Sequence, residues 1–238
     1  MTSDPIDPRA IAAAANNAAW CDAMCRAHGS IGRFDADAWT SPVRTPPFYP
    51  DAVTMGSRAG AIQLLDRIDH SAGCSVKDSF ATLDLAPFGF DLLFDATWIH
   101  RPPSATGPRS TSSIRSSVVA DTGMLAAWQS AWAGDEKTSG LFLPALLVDP
   151  AVTMIAAFEG DAIVAGGVIN ETNDVVGISN VFAIHDRVDE IWATCVDWIA
   201  IAFPGRPIVG YEAANDLDAA RSVGFDAVGP LRVWLMPD

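Results

Sequence analysis

Two neighbouring side chains near the C-terminal end of the sequence combine a phenol with a carboxylate. Tyr211 and Glu212 close the segment PIVGYE, whose composition is typical of a β-strand. A phenol with a pKa of about 10 can give a proton to a leaving thiolate, and a carboxylate can accept a proton from an attacking amine. Both are therefore candidate catalytic residues. Successive strand residues face opposite sides of a sheet, so at most one of them faces a given cleft. In the alternative interpretation Tyr211 packs and Glu212 caps the next helix.

A second group of polar residues precedes a long apolar helix pattern. His185 and Arg187 stand where that helix is predicted to begin, and the free backbone N–H groups and dipole of a helix start attract phosphate. Asp189 and Glu190 follow at once, and acidic residues are typical of an ordinary first helical turn. The pattern fits a phosphate site at Arg187, or a helix start without a ligand.

A proline-rich segment in the N-terminal half presents two adjacent aromatic residues. Between Gly32 and Asp51 the helical period is lost, and four prolines predict an extended, stiff loop. Such a loop would hold Phe48 and Tyr49 at low entropic cost, and the two rings could wall a substrate cleft. The alternative is a loop that covers the core, because buried aromatic side chains mostly pack.

Cysteine and histidine spacing gives little support for a metal. Cys21, Cys25 and His28 share one face of a predicted helix, and Cys74 is a fourth potential ligand. Zinc sites usually use closely spaced ligands in short loops, which this sequence lacks, so we expect buried thiols and no metal. A G-x-S-x-G elbow, a G-x-G-x-x-G fingerprint and a phosphate-binding P-loop are also absent from the sequence.

Composition limits the class of protein. The 238 residues carry 15 Lys+Arg and 29 Asp+Glu, a formal charge of −14, and half of them are hydrophobic. This apolar content predicts a folded chain, and the charge argues against binding to nucleic acid or to an anionic membrane. The acidic N-terminal segment resembles no signal peptide, and no apolar stretch reaches the ~20 residues that span a bilayer. We therefore expect a cytoplasmic protein, with a homodimer left open.

The predicted elements form an α+β protein with a mixed sheet. Asp7 and Pro8 begin a first helix, and a second is predicted over Arg58–His70. Two strands flanking Gly160–Asp161 predict a hairpin, and a three-stranded meander is expected over Thr153–Ile184. Residues 101–119, rich in Pro, Ser and Arg, are predicted to link an N-terminal lobe (1–100) to a C-terminal domain (120–238).

A weak internal repeat relates the two halves. The sequence SVKDSFATLDLAPFGFDLLFDATWIHRP in the first half and IVGYEAANDLDAARSVGFDAVGPLRVWLMP in the second both contain an acidic residue, Gly-Phe-Asp, and a strand with Trp. The N-terminal lobe is therefore predicted to be a degenerate second copy of the C-terminal domain.

The C-terminal order of elements resembles the GCN5-related N-acetyltransferase (GNAT) superfamily. The resemblance rests on AAFEGDAIVAGGVINETNDVVGISNVFAI, the helix after it, PIVGYE and DLDAARSVGFDAVGPLRVWL, and covers about residues 120–236. It implies acetyl-CoA as acyl donor and a small amine as acceptor. The pantetheine would lie between strands Gly177–Ile184 and Pro207–Glu212. The pyrophosphate would lie at the start of the helix that is predicted to begin at Asp186. The implied cofactor-binding residues are Asn180, Val181, Phe182, Ala183, His185 and Arg187.

The sequence departs from the family pattern at two places. The glycines expected after Arg187 are missing, and Ala220 stands where many members have a tyrosine that protonates the leaving thiolate. These departures support the alternative hypothesis of a catalytically inactive GNAT-like protein that binds a small molecule or a protein partner.

Overall fold

The computed structural model describes residues 5–103, 114–134, 140–172, 174–184, 187–213 and 216–238. In chain order its elements are α1 (Pro8–Ala27), β1 (Arg33–Phe34), β2 (Ala38–Thr40), β3 (Ala52–Thr54), α2 (Ala61–Leu65), β4 (Ser75–Asp78), β5 (Asp91–Arg101), β6 (Arg115–Val118), α3 (Thr122–Ala133), β7 (Val152–Glu159), β8 (Ala162–Glu171), β9 (Val176–Ala183), α4 (Val188–Ala202), β10 (Ile208–Glu212), α5 (Leu217–Ser222) and β11 (Asp226–Leu235). The predicted α+β class with a mixed sheet is confirmed.

The chain forms two compact units that are not contiguous in sequence. Unit 1 comprises residues 1–99, 211–215 and 227–238, and unit 2 comprises residues 100–210 and 216–226. This division differs from the predicted one, in which residues 120–238 form one domain. The reason is that β11, close to the C-terminal end of the sequence, pairs antiparallel with β4, from Arg232 opposite Asp78 to Leu235 opposite Ser75.

Helices α1 and α2 cover opposite faces of the unit 1 sheet. Its strands follow the order β1-β2-β3-β4-β11-β5, and β3 and β4 are parallel. On β4, Val76 packs in a core with Leu64 of α2, whereas the next residue, Lys77, bonds Asn17 of α1. Strand alternation therefore separates an apolar layer from a layer that contains buried polar groups.

Helix α1 begins as the sequence predicts, because the Asp7 carboxylate accepts a hydrogen bond from the backbone N–H of Arg9 at 2.9 Å. Helix α2 is much shorter than the predicted Arg58–His70. Gly60, at its N-cap, has extended dihedral angles (φ −98°, ψ 144°), so helical geometry starts only at Ala61. The short strands β1, β2 and β6 lie in segments predicted to be loops.

Unit 2 contains the predicted meander. Its strands follow the order β10-β9-β8-β7-β6, in which β7, β8 and β9 are antiparallel neighbours and β10 runs parallel to β9. A Cβ atom at Gly166 would meet Trp128 of α3, whereas one at Gly167 would meet Cys195 of α4. Because these two residues are adjacent on β8, α3 and α4 cover opposite faces of this sheet.

All four cysteines are buried free thiols. Burial raises the pKa of Cys21 and of Cys195 to about 12, and it raises the pKa of Cys25 and Cys74 in the same direction. Across the described ranges no helix combines the length and the apolar character needed to cross a membrane.

Candidate functional site

Strands β9 and β10 separate soon after they meet. Their parallel register joins Ile208 with Val176 and Val209 with Gly177, and the Val176 N–H donates to the Pro207 carbonyl at 3.0 Å. Over the described residues beyond these pairs, β9 continues to Ala183 without a further partner on β10. A parallel pair that stops after two residues leaves an opening in the ladder, in the sense that β9 has no register partner on β10 after Gly177.

The parallel pair of unit 1 provides an internal comparison. Strands β3 and β4 also pair over two residues, but the Thr54 hydroxyl then accepts a hydrogen bond from the Ser79 N–H at 2.8 Å. Thr54 and Ser79 are both buried, so this second pair stays joined at its end. The opening is therefore a feature of β9 and β10 that parallel pairing alone does not impose.

A β-bulge in β9 lies beside the opening. On the β8 side the register runs from Val168 opposite Ser179 to Gly166 opposite Phe182, so β9 contains one residue more than β8 in this interval. Asn180 lies within it and has a φ of +50°, in the left-handed region that Asn tolerates better than most residues. A bulge disrupts the ladder locally, so Asn180 and Val181 have no register partner on β8.

Phe182 is part of the aromatic support behind this strand. Its ring lies 5.1 Å from that of Trp128 in an edge-to-face arrangement, and Trp128 packs in the same way on Phe142 at 5.0 Å. The indole N–H of Trp128 donates to the Ile155 carbonyl at 2.9 Å. Gly166 leaves the space that these rings occupy. Phe182 therefore contributes packing that holds β9 in place, whereas Asn180, Val181 and Ala183 lie half-buried along the same strand.

The cationic side chain at the start of α4 is already paired with carboxylates. Arg187 is the N-cap residue, and its guanidinium donates to Glu190 at 3.2 Å and to Glu159 at 3.3 Å. Asp189 and Glu190 occupy the first turn of the helix. Glu159 and Glu190 thus neutralise the charge of Arg187, the residue predicted to contact a pyrophosphate. His185, also predicted there, lies outside the described residues.

The predicted catalytic pair falls in unit 1. Tyr211 packs edge-on against Trp98 with ring centroids 5.6 Å apart, and the Lys77 ammonium lies 4.0 Å from the centroid of the Tyr211 ring. Glu212, the next residue on β10, is half-buried. Sequence reasoning missed Lys77, which is 4% exposed and donates to Asn17 Oδ1 at 2.7 Å. A lysine next to Val76 in the short strand SVKD was the available signal.

The two predicted substrate-binding residues have different surroundings. Tyr49 is buried in unit 1, where its ring packs edge-on against Trp20 at 6.0 Å. Phe48 is 68% exposed and has a φ of +70°. The loop is fixed by the Thr45 hydroxyl, which donates to the Tyr49 carbonyl at 2.6 Å. Structure therefore favours the packing interpretation for Tyr49, and only Phe48 is available to a ligand.

Ala220, at the place of the family tyrosine, is fully buried in α5. Within the described part of the chain, no group of three His, Cys, Asp or Glu residues is placed to hold a metal ion. Cys21, Cys25 and Cys74 are each buried there as free thiols.

Solved structures share this architecture. A GCN5-related N-acetyltransferase from Kribbella flavida has a TM-score of 0.65 at 16% identity, over 95% of this chain and 96% of that protein. A putative acetyltransferase of the GNAT family from Novosphingobium aromaticivorans has a TM-score of 0.56 at 10% identity, over 93% and 97%. A GCN5-related N-acetyltransferase-like protein from Streptococcus suis has a TM-score of 0.52 at 10% identity, over 96% and 98%. No protein-family model and no curated protein matches the sequence. The chain has the GNAT fold, as its sequence predicts.

Proposed function

We propose that unit 2 binds an acyl-CoA thioester, with acetyl-CoA as the expected donor, and transfers the acyl group to the amine of a small molecule. The observation that supports this most is the early separation of β9 from β10 after Val209. An extended pantetheine arm carries amides that pair with exposed strand backbone. The edge of β9 that faces β10 has no register partner on β10 after Gly177 and offers such backbone there.

The residues along β9 fit the thioester end of such a donor, which supplies an activated acyl group. The bulge at Asn180 changes the direction of the β9 backbone beside the opening. We propose that the backbone of Asn180, Val181 and Ala183 holds the donor, and that Phe182 fixes the strand through Trp128. The formal charge of −14 would favour the approach of a cationic amine.

Proton transfer is proposed for the end of β10. Tyr211 follows Gly210 directly on this strand, and Trp98 and Lys77 fix its ring. Its phenol is the proposed proton donor to the leaving thiolate. Glu212 faces the opposite side of the strand and is the alternative catalytic residue, as acceptor of the amine proton, if that side lines the cleft. Replacing Tyr211 by Phe removes the donor and keeps the ring, and we expect about 100-fold slower turnover.

The start of α4 does not fit a pyrophosphate. Arg187 is already paired with Glu159 and Glu190, and the first turn carries no glycine. This observation favours a second candidate function, in which a GNAT-fold protein binds a small molecule or a protein partner without catalysis. The two candidates differ in whether an acyl thioester binds to β9.

Thermal unfolding with about 1 mM acetyl-CoA or desulfo-CoA tests binding, because a ligand selective for the native state raises the melting temperature. The matched variants are Asn180→Gly, which keeps the left-handed backbone accessible, and Asn180→Val, whose β-branched side chain disfavours it. We expect the shift in wild type and Asn180→Gly and its loss in Asn180→Val. Release of free thiol with a panel of small amines then tests catalysis. Absence of any shift in the wild type would exclude the transferase and leave the non-catalytic candidate.

A further inference from the structure

Unit 1 contains a cavity lined by residues between Asp35 and Arg67, none of which is assigned to acyl transfer. The cavity has a volume of about 400 Å³, within the range of small-molecule sites. One wall is the turn between β1 and β2 with Asp35, Asp37 and Ala38, and the other is the loop and helix that follow β3. The polar side chains on this second wall are Arg58, Gln63 and Arg67.

The cavity contains two ion pairs, and in the first of them, Asp35 with Arg67, both carboxylate oxygens already accept hydrogen bonds from the protein. Asp35 accepts hydrogen bonds from the backbone N–H groups of Asp37 at 2.8 Å and Ala38 at 2.7 Å, and its other oxygen accepts from Arg67 at 2.5 Å. These hydrogen bonds, with the nearby Arg67 charge, hold the pKa of Asp35 below its ordinary value. Asp35 and Arg67 therefore form the fixed part of the wall.

The other ion pair is held loosely. Arg58 contacts Asp37 only through Nε, at 3.4 Å, and its side chain is 79% exposed. Among the described residues, the two terminal nitrogens of Arg58 and the side-chain amide of Gln63 have no hydrogen-bond partner. The wall thus presents unused donors beside a carboxylate whose single side-chain partner is a weak contact.

Two glycines give these polar groups their positions. A Cβ atom at Gly56 would lie 2.7 Å from the Asp37 carboxylate, and a Cβ atom at Gly60 would overlap with the Gln63 amide. In both cases the neighbour is the end of a flexible side chain. An alanine would therefore displace the polar group at little cost to stability.

We infer that this cavity binds a small zwitterion that carries an ammonium group next to a carboxylate, as a free α-amino acid does. A carboxylate fits the paired terminal nitrogens of Arg58, with Gln63 as a further donor. An anion bound there would make Asp37 share its single cation with a second carboxylate. A ligand with its own ammonium group supplies the missing positive charge beside Asp37.

Charge and size narrow the class further. The wall holds two arginines and two aspartates, so its formal charge is zero, and the whole chain carries −14. A multiply charged anion such as a phosphate ester would add uncompensated negative charge to a wall whose formal charge is zero, whereas a net-neutral ligand would not. Ala38, Ala59 and Leu64 provide an apolar floor for a small aliphatic side chain. This inference does not depend on acyl transfer by unit 2.

Titration of the full chain with L-valine, followed by calorimetry and by amide shifts of Ala38, Ala59 and Gly60, tests the inference. We expect saturable binding with a dissociation constant of about 1 mM, a value reasonable for so few contacts. Isovalerate lacks the ammonium group and isobutylamine lacks the carboxylate, and each should bind at least about tenfold more weakly.

The variants Arg58→Gln and Asp37→Asn should each weaken L-valine binding by about tenfold or more. Arg33→Gln, which removes an exposed arginine outside the cavity, is the charge-matched control and should bind as the wild type does. Gly60→Ala should weaken binding while the melting temperature changes little. The inference is overturned if L-valine does not saturate these amide shifts, if isovalerate binds as tightly as L-valine, or if Arg58→Gln binds normally.

Discussion

Replacing Glu159 and Glu190 by glutamine should open the start of α4 to a pyrophosphate. Both carboxylates bond the Arg187 guanidinium, at 3.3 and 3.2 Å. Glutamine keeps the size of each side chain and removes its charge. The double variant should therefore bind acetyl-CoA more tightly than the wild type, an unusual direction for substitutions in a proposed cofactor site.

The magnitude follows from the exposure of the three side chains, 34% for Arg187, 64% for Glu159 and 42% for Glu190. Partly exposed pairs of this kind are worth about 0.2–1 kcal/mol each. A carboxylate about 4 Å from a phosphate charge adds a repulsion of about 1 kcal/mol in water. The two effects sum to about 1.2–2 kcal/mol, so each substitution should tighten acetyl-CoA binding by about tenfold, and the two together by more than tenfold.

Calorimetric titration with acetyl-CoA and with acetyl-pantetheine isolates this effect, because only acetyl-CoA carries the pyrophosphate. Acetyl-pantetheine should bind the wild type and the double variant equally well. Glu171→Gln is the matched control, since Glu171 pairs with Arg206 at 3.2 Å elsewhere in unit 2. Two results would refute the reasoning. One is an unchanged ratio of the two affinities in the double variant. The other is a tenfold loss of acetyl-CoA affinity in Arg187→Gln, which would show that Arg187 already serves the pyrophosphate.

Three further predictions concern stability. Gly166→Ala places a Cβ atom 2.6 Å from Phe182 and 2.7 Å from the Ile155 carbonyl, so the free energy of unfolding measured with urea should fall by about 1–3 kcal/mol. The control Gly123→Ala should be as stable as the wild type or slightly more stable. Equal stability of Gly166→Ala and the wild type would contradict the close packing. Asn17→Leu deprives the buried Lys77 ammonium of its acceptor and should lower the free energy of unfolding by about 1.5–3 kcal/mol. The double variant Asn17→Leu, Lys77→Met should recover most of that loss, and additive losses from the two substitutions would argue against the hydrogen bond. Burial raises the pKa of Asp78, so the folded state binds more protons than the unfolded state just above the ordinary aspartate value of 3.8. The contribution of Asp78 to stability should therefore fall as pH rises through this window, and the free energy of unfolding of Asp78→Asn minus that of wild type should increase there; a difference that does not change with pH would contradict this.

Local sequence signals predict most of unit 2. The Gly160–Asp161 turn, the meander and the apolar spacing of α4 are short-range patterns, and each element lies within a few residues of its predicted position. The bulge at Asn180 was not predicted. A bulge depends on register with β8, and an asparagine within a strand pattern is a weak indication of it.

The strand order of unit 1 and the ion pairs of Arg187 depend on contacts between residues distant in sequence. The pairing of β11 with β4 joins residues more than 150 positions apart, so no local pattern could show that unit 1 takes its last strand from the C-terminal segment. Arg187 was correctly placed at the start of α4, but its pairing with Glu159 depends on the β7–β8 turn. The proposed repeat stays a prediction. Gly89 and Gly224, the glycines of its two Gly-Phe pairs, both have φ close to +90° (90° and 91°), which agrees with it.

Hydrogen exchange along β9, measured with and without acetyl-pantetheine, tests most directly whether this strand binds an extended thioester. The ligand should slow the exchange of those amides within Ile178–Ala183 that face away from β8 and leave the β7–β8 amides unchanged, because β9 has no register partner on β10 after Gly177. Strong protection of these outward-facing amides in the free protein, or no effect of the ligand on them, would contradict the assignment of β9 as the donor-binding strand.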